Sequence, residues 1–371
     1  MPQKHKRILV SGPSITQKEI DYVAEATGNA WNENAYKYVR EFENKFAEYV
    51  GVKYSIATSS CTGALHLAIL ALGIGKGDEV IVPDATWFAT VEPVYYVGAK
   101  AVYVDVDPQT WCIDPTKIES KINSHTKAII VVHLYGHPAE MNKIMQIAKK
   151  NNLYVIEDAA ESIGGEYHGK KTGSLGDISC FSFHGSKTLT TGEGGMFLTN
   201  KKRLYQRAKF LNDQGKSPTI AFWNLEIGYK YKMSDMQAAM GTVQLSRINE
   251  MLKKKKEIFL WYQQRLGNIS GIQLNTEKPG CMNTYWMVTV VLDPKFKMNK
   301  LSLLKKLAEY NIDPRPFFYP LSSLPPLKTK VNNPTSYRLS EYGINLPCGQ
   351  NLNEEDVNYV CDSLLEILNL S

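Results

Sequence analysis

Between Lys53 and Asn200 four short runs, Glu79 to Val82, Ala101 to Val104, Lys127 to His133 and Leu153 to Ile156, are almost continuously apolar and rich in Val and Ile. A strand with one wet face alternates apolar and polar residues. Strands that do not alternate are covered on both faces, as in a parallel sheet packed between helices. Helical runs, Thr62 to Leu72 and Ala139 to Asn151, separate these segments. That order predicts an α/β domain with a mostly parallel central sheet flanked by helices. The stretch Ala64 to Leu72 is apolar nearly all round, so it is expected inside the domain and not on its surface.

After Gly241 the texture changes to long charged helical stretches. Met251 to Leu266 is followed by a strand-like Thr284 to Leu292 and a helix near Leu301 to Tyr310. The shift predicts a large N-terminal domain over residues 1–245 and a smaller C-terminal α+β domain over residues 246–371, a division the length of 371 residues accommodates. Asp313 to Pro326 holds five of the 17 prolines. Proline fixes φ, so this stretch is expected to be an ordered loop, and long ordered loops in compact domains are often functional. The four lysines Lys253 to Lys256 would spread around a helix, which predicts a solvated face and not a nucleic-acid patch.

The net charge of +6 is mild for this length and suits anionic small molecules better than a nucleic-acid backbone. The six cysteines are scattered with no C-x-x-C pair, which suggests neither a metal site nor a disulfide scaffold, and points to reduced thiols in the cytoplasm. The basic start Met1 to Arg7 is not followed by an apolar run, and no run approaches the roughly 20 apolar residues of a membrane helix. Leu72 to Gly77 has closely spaced glycines but leads into a strand, so it fails the dinucleotide fingerprint, in which the glycines open a helix.

Three segments carry chemistry: Val155 to Glu161, Ile178 to Lys187 and Thr190 to Gly195. Asp158 directly follows an apolar strand, and ligands in open α/β sheets sit at the carboxyl ends of strands. If a helix starts there, Glu161 lies at i+3 on the same face. Taken alone, Asp158 would read as a helix cap. Lys187 changes that balance, because it stands between an apolar strand and a glycine-rich turn, where neither a core nor a charged surface calls for lysine. A lysine in a partly desolvated cleft can bond covalently to a carbonyl compound, and pairing it with an aspartate that keeps a pyridinium protonated is the protein side of pyridoxal phosphate chemistry.

In these segments, and in Phe42 to Ala47, Thr62 to Leu67, His133 to His137, Ile227 to Met233 and Ile344 to Pro347, the chain resembles the PLP-dependent nucleotide-sugar aminotransferases of the DegT/StrS type. The order and spacing of the matches cover essentially the whole chain. The resemblance implies the fold-type I aminotransferase architecture, pyridoxal 5′-phosphate as cofactor, a homodimer, L-glutamate as amino donor, and a nucleotide-linked 4-keto-6-deoxy sugar aminated at C4 as acceptor. It implies Lys187 as the Schiff-base lysine, Asp158 as partner of the pyridinium nitrogen and Glu161 near the phenolic oxygen. Ser182, Thr62 and the adjacent Cys61 fall on the phosphate, and Trp87 on the ring face. A helix N-terminus at Thr62 suits a phosphate independently.

This chain departs from the family pattern in three places. Cys61 precedes Thr62 where a small residue and Gly are usual. Lys230 stands where many members carry an Asn supplied by the partner subunit to the phosphate, and a lysine can serve there as a point charge. Trp31 to Tyr36 lacks the usual Ser and Gly and is expected near the sugar nucleotide. Arg315 and Tyr319, in the proline-rich loop, are candidates for the sugar-nucleotide side, with a surface salt bridge the alternative for Arg315. Relatives that dehydrate sugars resemble this fold with histidine in place of the lysine, so Lys187 argues against a dehydratase. The stretch after Lys187 looks unlike the C3-aminating branch. A regulatory protein that had lost catalysis would have a broken cofactor set, and this one is intact.

Overall fold

The four apolar runs are neighbouring strands of one seven-stranded sheet. A computed structural model describes residues 6–370, so residues 1–5 of the basic start lie outside the described residues. The sheet is built from β1 (Tyr54–Thr58), β2 (Glu79–Pro83), β3 (Lys100–Val104), β4 (Thr126–Val132), β5 (Tyr154–Asp158), β6 (Ile178–Ser182) and β7 (Gly195–Thr199), in the order β1-β7-β6-β5-β4-β2-β3. Pairings from β6 through β3 are parallel, and β7 runs antiparallel to both of its neighbours. The parallel strands are buried on both faces, which is why their sequences lack alternation.

Of the helices, α1 (Gln17–Asn29), α2 (Lys37–Val50), α3 (Cys61–Ala71), α4 (Met141–Lys150), α5 (Lys202–Asn212) and α6 (Asp235–Ser246) belong with this sheet. The apolar α3 buries nine of its eleven residues, as its composition predicts. Glu19 of α1 is held by Arg247 at 2.6 Å and by Gln244 at 2.8 Å, which pins α1 onto the end of α6. The connection to α7 (Ile248–Leu266) is the single residue Arg247.

A second, antiparallel sheet follows in the order β8 (Ile272–Leu274), β9 (Val288–Leu292), β11 (Gly343–Leu346), β10 (Arg315–Pro316). It packs with α7, α8 (Lys300–Glu309), α9 (Pro334–Tyr342) and α10 (Glu354–Ile367). The short strand Ile8–Leu9 pairs in parallel with Ile312–Asp313, and Val10 accepts from Cys348 N, so the start of the chain is built into this second layer.

Two buried carboxylates tie the layers together. Asp84, just past β2, accepts from Ser322 N at 2.8 Å, Ser322 Oγ at 2.7 Å and Asn333 Nδ2 at 2.9 Å. Asp105, just past β3, accepts from Thr335 N and Ser336 N in the first turn of α9, where the free N–H groups and the helix dipole favour a negative charge. The proline-rich loop between them is ordered, with 3₁₀ turns at Leu321–Ser323 and Pro325–Leu327.

The structure corrects three expectations. No helix follows Asp158: residues 159–165 form turns, so Glu161 reaches its place by a turn and Asp158 caps nothing. The strand expected from Thr284 starts only at Val288, because Tyr285 has φ 49° and breaks the extended run. The lysine run is not wholly solvated: Lys255 is buried, with its amine on the carbonyls of Trp286 (2.9 Å) and Cys348 (2.7 Å). No helix among the described residues is long and apolar enough to cross a membrane.

Candidate active site

The parallel strands β4, β5 and β6 all end at the floor of one cavity of about 530 Å³, roofed by residues of the second layer. Cys61, Thr62, Trp87, Asp158, Glu161, Ser182, Lys187, Arg315 and Tyr319, nine of the ten residues named from the sequence, line it. Lys230 does not. It is exposed, beside an arm whose Phe222 and Ile227 side chains are almost wholly in solvent. Trp31 to Tyr36 also lies outside the cavity lining, with Tyr36 under the amine of Lys232.

Asp158 is the last residue of β5 and is buried. Its Oδ2 accepts from Thr90 Oγ1 at 2.7 Å and its Oδ1 from Ala160 N at 3.2 Å. Burial pushes its carboxyl above the usual range, against the pull of these two donors and of Lys187. Burial likewise pushes Glu161 up to about 7, although Lys187 Nζ stands 3.6 Å from its Oε1 and Tyr135 N donates to its Oε2 at 2.8 Å. Tyr135 aims that N–H from a left-handed conformation, φ 51°, which is uncommon for a bulky residue and is held here by complete burial. Two buried carboxylates against one ammonium leave a cavity floor that suits a cationic ring.

At the opposite wall α3 begins. Ser60 caps it by accepting from Gly63 N at 3.1 Å, and the N–H groups of Cys61 and Thr62 in the first turn have no acceptor among the described residues. The backbone comes so close to β7 that a Cβ on Gly195 would lie 2.5 Å from Ser60 C and 2.6 Å from Cys61 N, which explains the glycine at that place in the motif. Ser182, at the end of β6, lines the same cavity, and burial raises the Cys61 thiol well above its usual range. Free N–H groups and hydroxyls at a helix N-terminus form an anion site.

On the open side Trp87 is 60% exposed, with its ring 5.8 Å from that of Phe318. Arg315 is exposed, and no carboxylate among the described residues pairs with it. The ring of Tyr319 lies 3.5 Å from Lys300 Nζ.

Sequence reasoning missed Thr86, Thr90, Trp286 and Asn345, which also line the cavity, and Tyr135 behind them. Trp286 stands 3.6 Å over Lys187 Nζ, and Asn345 lies opposite Arg315 in the β10–β11 pairing. Tyr135 and Asn345 lie inside the matched segments His133 to His137 and Ile344 to Pro347, where nothing in the sequence singles them out, and Thr86, Thr90 and Trp286 lie outside every matched segment.

Residues 13–365 match the model of the DegT/DnrJ/EryC1/StrS aminotransferase family. The chain is 43% identical to the GDP-perosamine synthase of Escherichia coli O157:H7 over 97% of this chain and 98% of that protein. It is 40% identical to the GDP-perosamine synthase of Caulobacter vibrioides over 98% of each chain. Among solved structures, the PLP form of Spr1654 from Streptococcus pneumoniae superposes with a TM-score of 0.91 at 26% identity, covering 98% of this chain and 99% of that one. A cavity floored by a lysine and two buried carboxylates, walled by an anion site and set in this fold, accords with those likenesses: the chain belongs to the DegT/DnrJ/EryC1/StrS aminotransferase family and is a pyridoxal phosphate-dependent aminotransferase.

Proposed function

We propose that this aminotransferase moves the amino group of L-glutamate to C4 of a nucleotide-linked 4-keto-6-deoxy sugar, a GDP-perosamine synthase-like reaction that supplies a deoxyamino sugar for polysaccharide, and that it works as a homodimer. The observation that carries this reading is the near full-length likeness to two GDP-perosamine synthases together with an intact lysine and carboxylate set in one cavity.

The residues present fit the cofactor. Among the described residues, Asp158 is a buried acid with no cationic side chain hydrogen-bonded to it, the N–H groups of Cys61 and Thr62 have no acceptor, and Lys187 lines the same cavity. Asp158 would hold a proton on the ring nitrogen, Glu161 would face the phenolic oxygen, Trp87 would cover the ring, and Ser182, Thr62 and the Cys61 N–H would take the phosphate. Bound there, pyridoxal phosphate supplies an electrophilic carbon and a ring that accepts an electron pair.

Lys187 first anchors the cofactor and then, once freed by the amino donor, takes a proton at the substrate carbon and returns it at the neighbouring position. Arg315 and Tyr319, at the mouth, are suited to the pyrophosphate and nucleoside of the acceptor. The exposed apolar arm beside Lys230 supports the homodimer, since Phe222, Trp223, Leu225 and Ile227 form an apolar patch that a partner would cover, with Lys230 then placed to reach the partner subunit's phosphate site.

The test is to incubate the protein with pyridoxal phosphate, glutamate and a panel of 4-keto and 3-keto sugar nucleotides carrying GDP, UDP, dTDP or CDP, and to identify the products by mass spectrometry and NMR. Amination at C4 of one 4-keto-6-deoxy sugar is expected. Amination at C3, or dehydration with no amine incorporated, overturns the reading.

A further inference from the structure

The amine of Lys187 rests between two groups from different layers of the molecule: Glu161 Oε1 at 3.6 Å and the face of the Trp286 ring at 3.6 Å. We propose that Trp286 is a positioning residue that seats the amine of Lys187 whenever that amine is not bonded to the cofactor, and that buried Lys255 holds Trp286 in place for this task. The proposal rests on the reading of Lys187 as the amine that anchors the cofactor.

Trp286 is fixed at three points, two on its ring and one on its backbone carbonyl. Its Nε1–H donates to the carbonyl of Ser186 at 2.9 Å, so the ring is tied to the peptide that directly precedes the lysine it covers. The backbone carbonyl of Trp286 accepts from Lys255 Nζ at 2.9 Å. Its face stacks on Tyr135, centroids 6.1 Å apart and planes 29° from parallel, and Tyr135 is the residue whose N–H holds the other oxygen of Glu161. Both walls of the amine seat therefore share one buried aromatic support.

Lys255 is the oddity that singles out this arrangement. It is 3% exposed, no carboxylate among the described residues pairs with it, and its remaining contacts are the Cys348 carbonyl and thiol. Burying an amine without a counter-charge is unfavourable, and an apolar side chain of the same length would pack there with less desolvation. What Lys255 gains is a hold on the backbone of residue 286, in the irregular stretch before β9 where ladder hydrogen bonds are absent. Tyr285, next to it, stacks on Phe259 of α7 at 3.9 Å, a second brace on the same stretch.

A desolvated aromatic face attracts a charged amine and not a neutral one. A free lysine side chain has a flexible four-carbon stem, and without a seat its amine would sample the whole cavity. With Trp286 and Glu161 on either side it waits in one place, from which the transfer to substrate needs little reorganisation.

The test uses full-length protein stripped of cofactor, labelled with acetic anhydride over a pH series, with modification of Lys187 measured by peptide mass spectrometry against the other lysines. For Trp286→Leu the pH of half-maximal labelling at Lys187 is expected to fall by about one unit, tenfold in labelling at a fixed pH on the rising limb. Loss of shielding alone would raise the rate by the same factor at every pH and leave the midpoint unmoved, which overturns the proposal. Should Trp286→Leu fail to fold, replacing tryptophan by mono-, di- and trifluorotryptophan keeps the shape and weakens the ring face stepwise. A midpoint that falls with each fluorine supports the seat, and a constant midpoint overturns it. In the cofactor-loaded protein Trp286→Leu should lower kcat about tenfold with the glutamate KM within twofold. Lys255→Met should reproduce part of both effects. Borohydride reduction and peptide mapping separate the two readings: cofactor fixed to another lysine defeats the assignment of Lys187, whereas the labelling profile tests the seat by itself.

Discussion

The hydroxyl of Thr90 donates to Asp158 Oδ2 at 2.7 Å, and Thr90 in turn lies 3.0 Å from the hydroxyl of Thr86. A buried carboxylate with two neutral donors and a raised affinity for protons is held ready to meet a cationic partner. Asp158→Asn keeps the shape and removes the charge that would hold a proton on the ring nitrogen. Turnover should fall by about two orders of magnitude or more, with weaker cofactor retention on dialysis. Near wild-type kinetics would remove Asp158 from the chemistry.

Arg315 gives a test of which substrate uses the cavity mouth. Arg315→Ala should raise KM for the sugar nucleotide about tenfold and leave the glutamate half-reaction within twofold. Equal loss in both half-reactions, measured by stopped-flow absorbance, would assign Arg315 to the donor's carboxylate.

The exposed arm predicts the assembly. Phe222→Asp combined with Ile227→Asp should turn a dimer into a monomer in sedimentation velocity and abolish turnover, since both side chains are now almost wholly in solvent. A wild-type protein that sediments as a fully active monomer would refute the shared site. Recovery of activity on mixing Lys187→Ala with a Lys230→Ala variant would support it.

Glu19 sets an acid limit on stability. Burial raises its carboxyl, but the hydrogen bonds from Thr16, Arg247 and Gln244 outweigh burial and bring it down to about 2, from an ordinary value of 4.5. A depressed carboxyl stabilises the fold above its unfolded value, and that contribution is lost as pH falls from about 4.5 to about 2. Glu19→Gln should therefore cost about 2 kcal/mol at pH 7 and progressively less toward pH 2, read as a flatter acid limb in denaturant melts. An unchanged difference at both ends of that range would contradict the linkage.

How much of this was legible in the sequence follows from how each element is specified. The parallel strands declare themselves because burial on both faces removes polar residues, and α3 because it is enclosed all round; each boundary fell within a few residues. Lys187 and Asp158 were legible because their neighbours are apolar strands, so a charged residue stands out. Trp286 was not, since Thr284 to Leu292 reads as one strand and only the left-handed turn at Tyr285, which leaves no mark in composition, frees the indole to enter the cavity. Lys255 was misjudged for the opposite reason: helical periodicity distributes a lysine run around the cylinder but does not say which position faces a neighbour's carbonyls. Thr90 and Asn345 come from segments far from β5 in the chain, and only the packing of the two layers brings them to one cavity.

The pairing of Ile8 with Ile312 carries a consequence for biosynthesis. At a translation rate of about 5 to 20 residues per second, the first strand waits about 15 to 60 s before its partner leaves the ribosome. Through that interval the leading segment has an open edge while every strand of the seven-stranded sheet has already been synthesised, so the first strand is paired only after the large sheet is available. A chain truncated before residue 312 would keep a complete large sheet and leave its first strand unpaired, a species suited to chaperone capture and proteolysis.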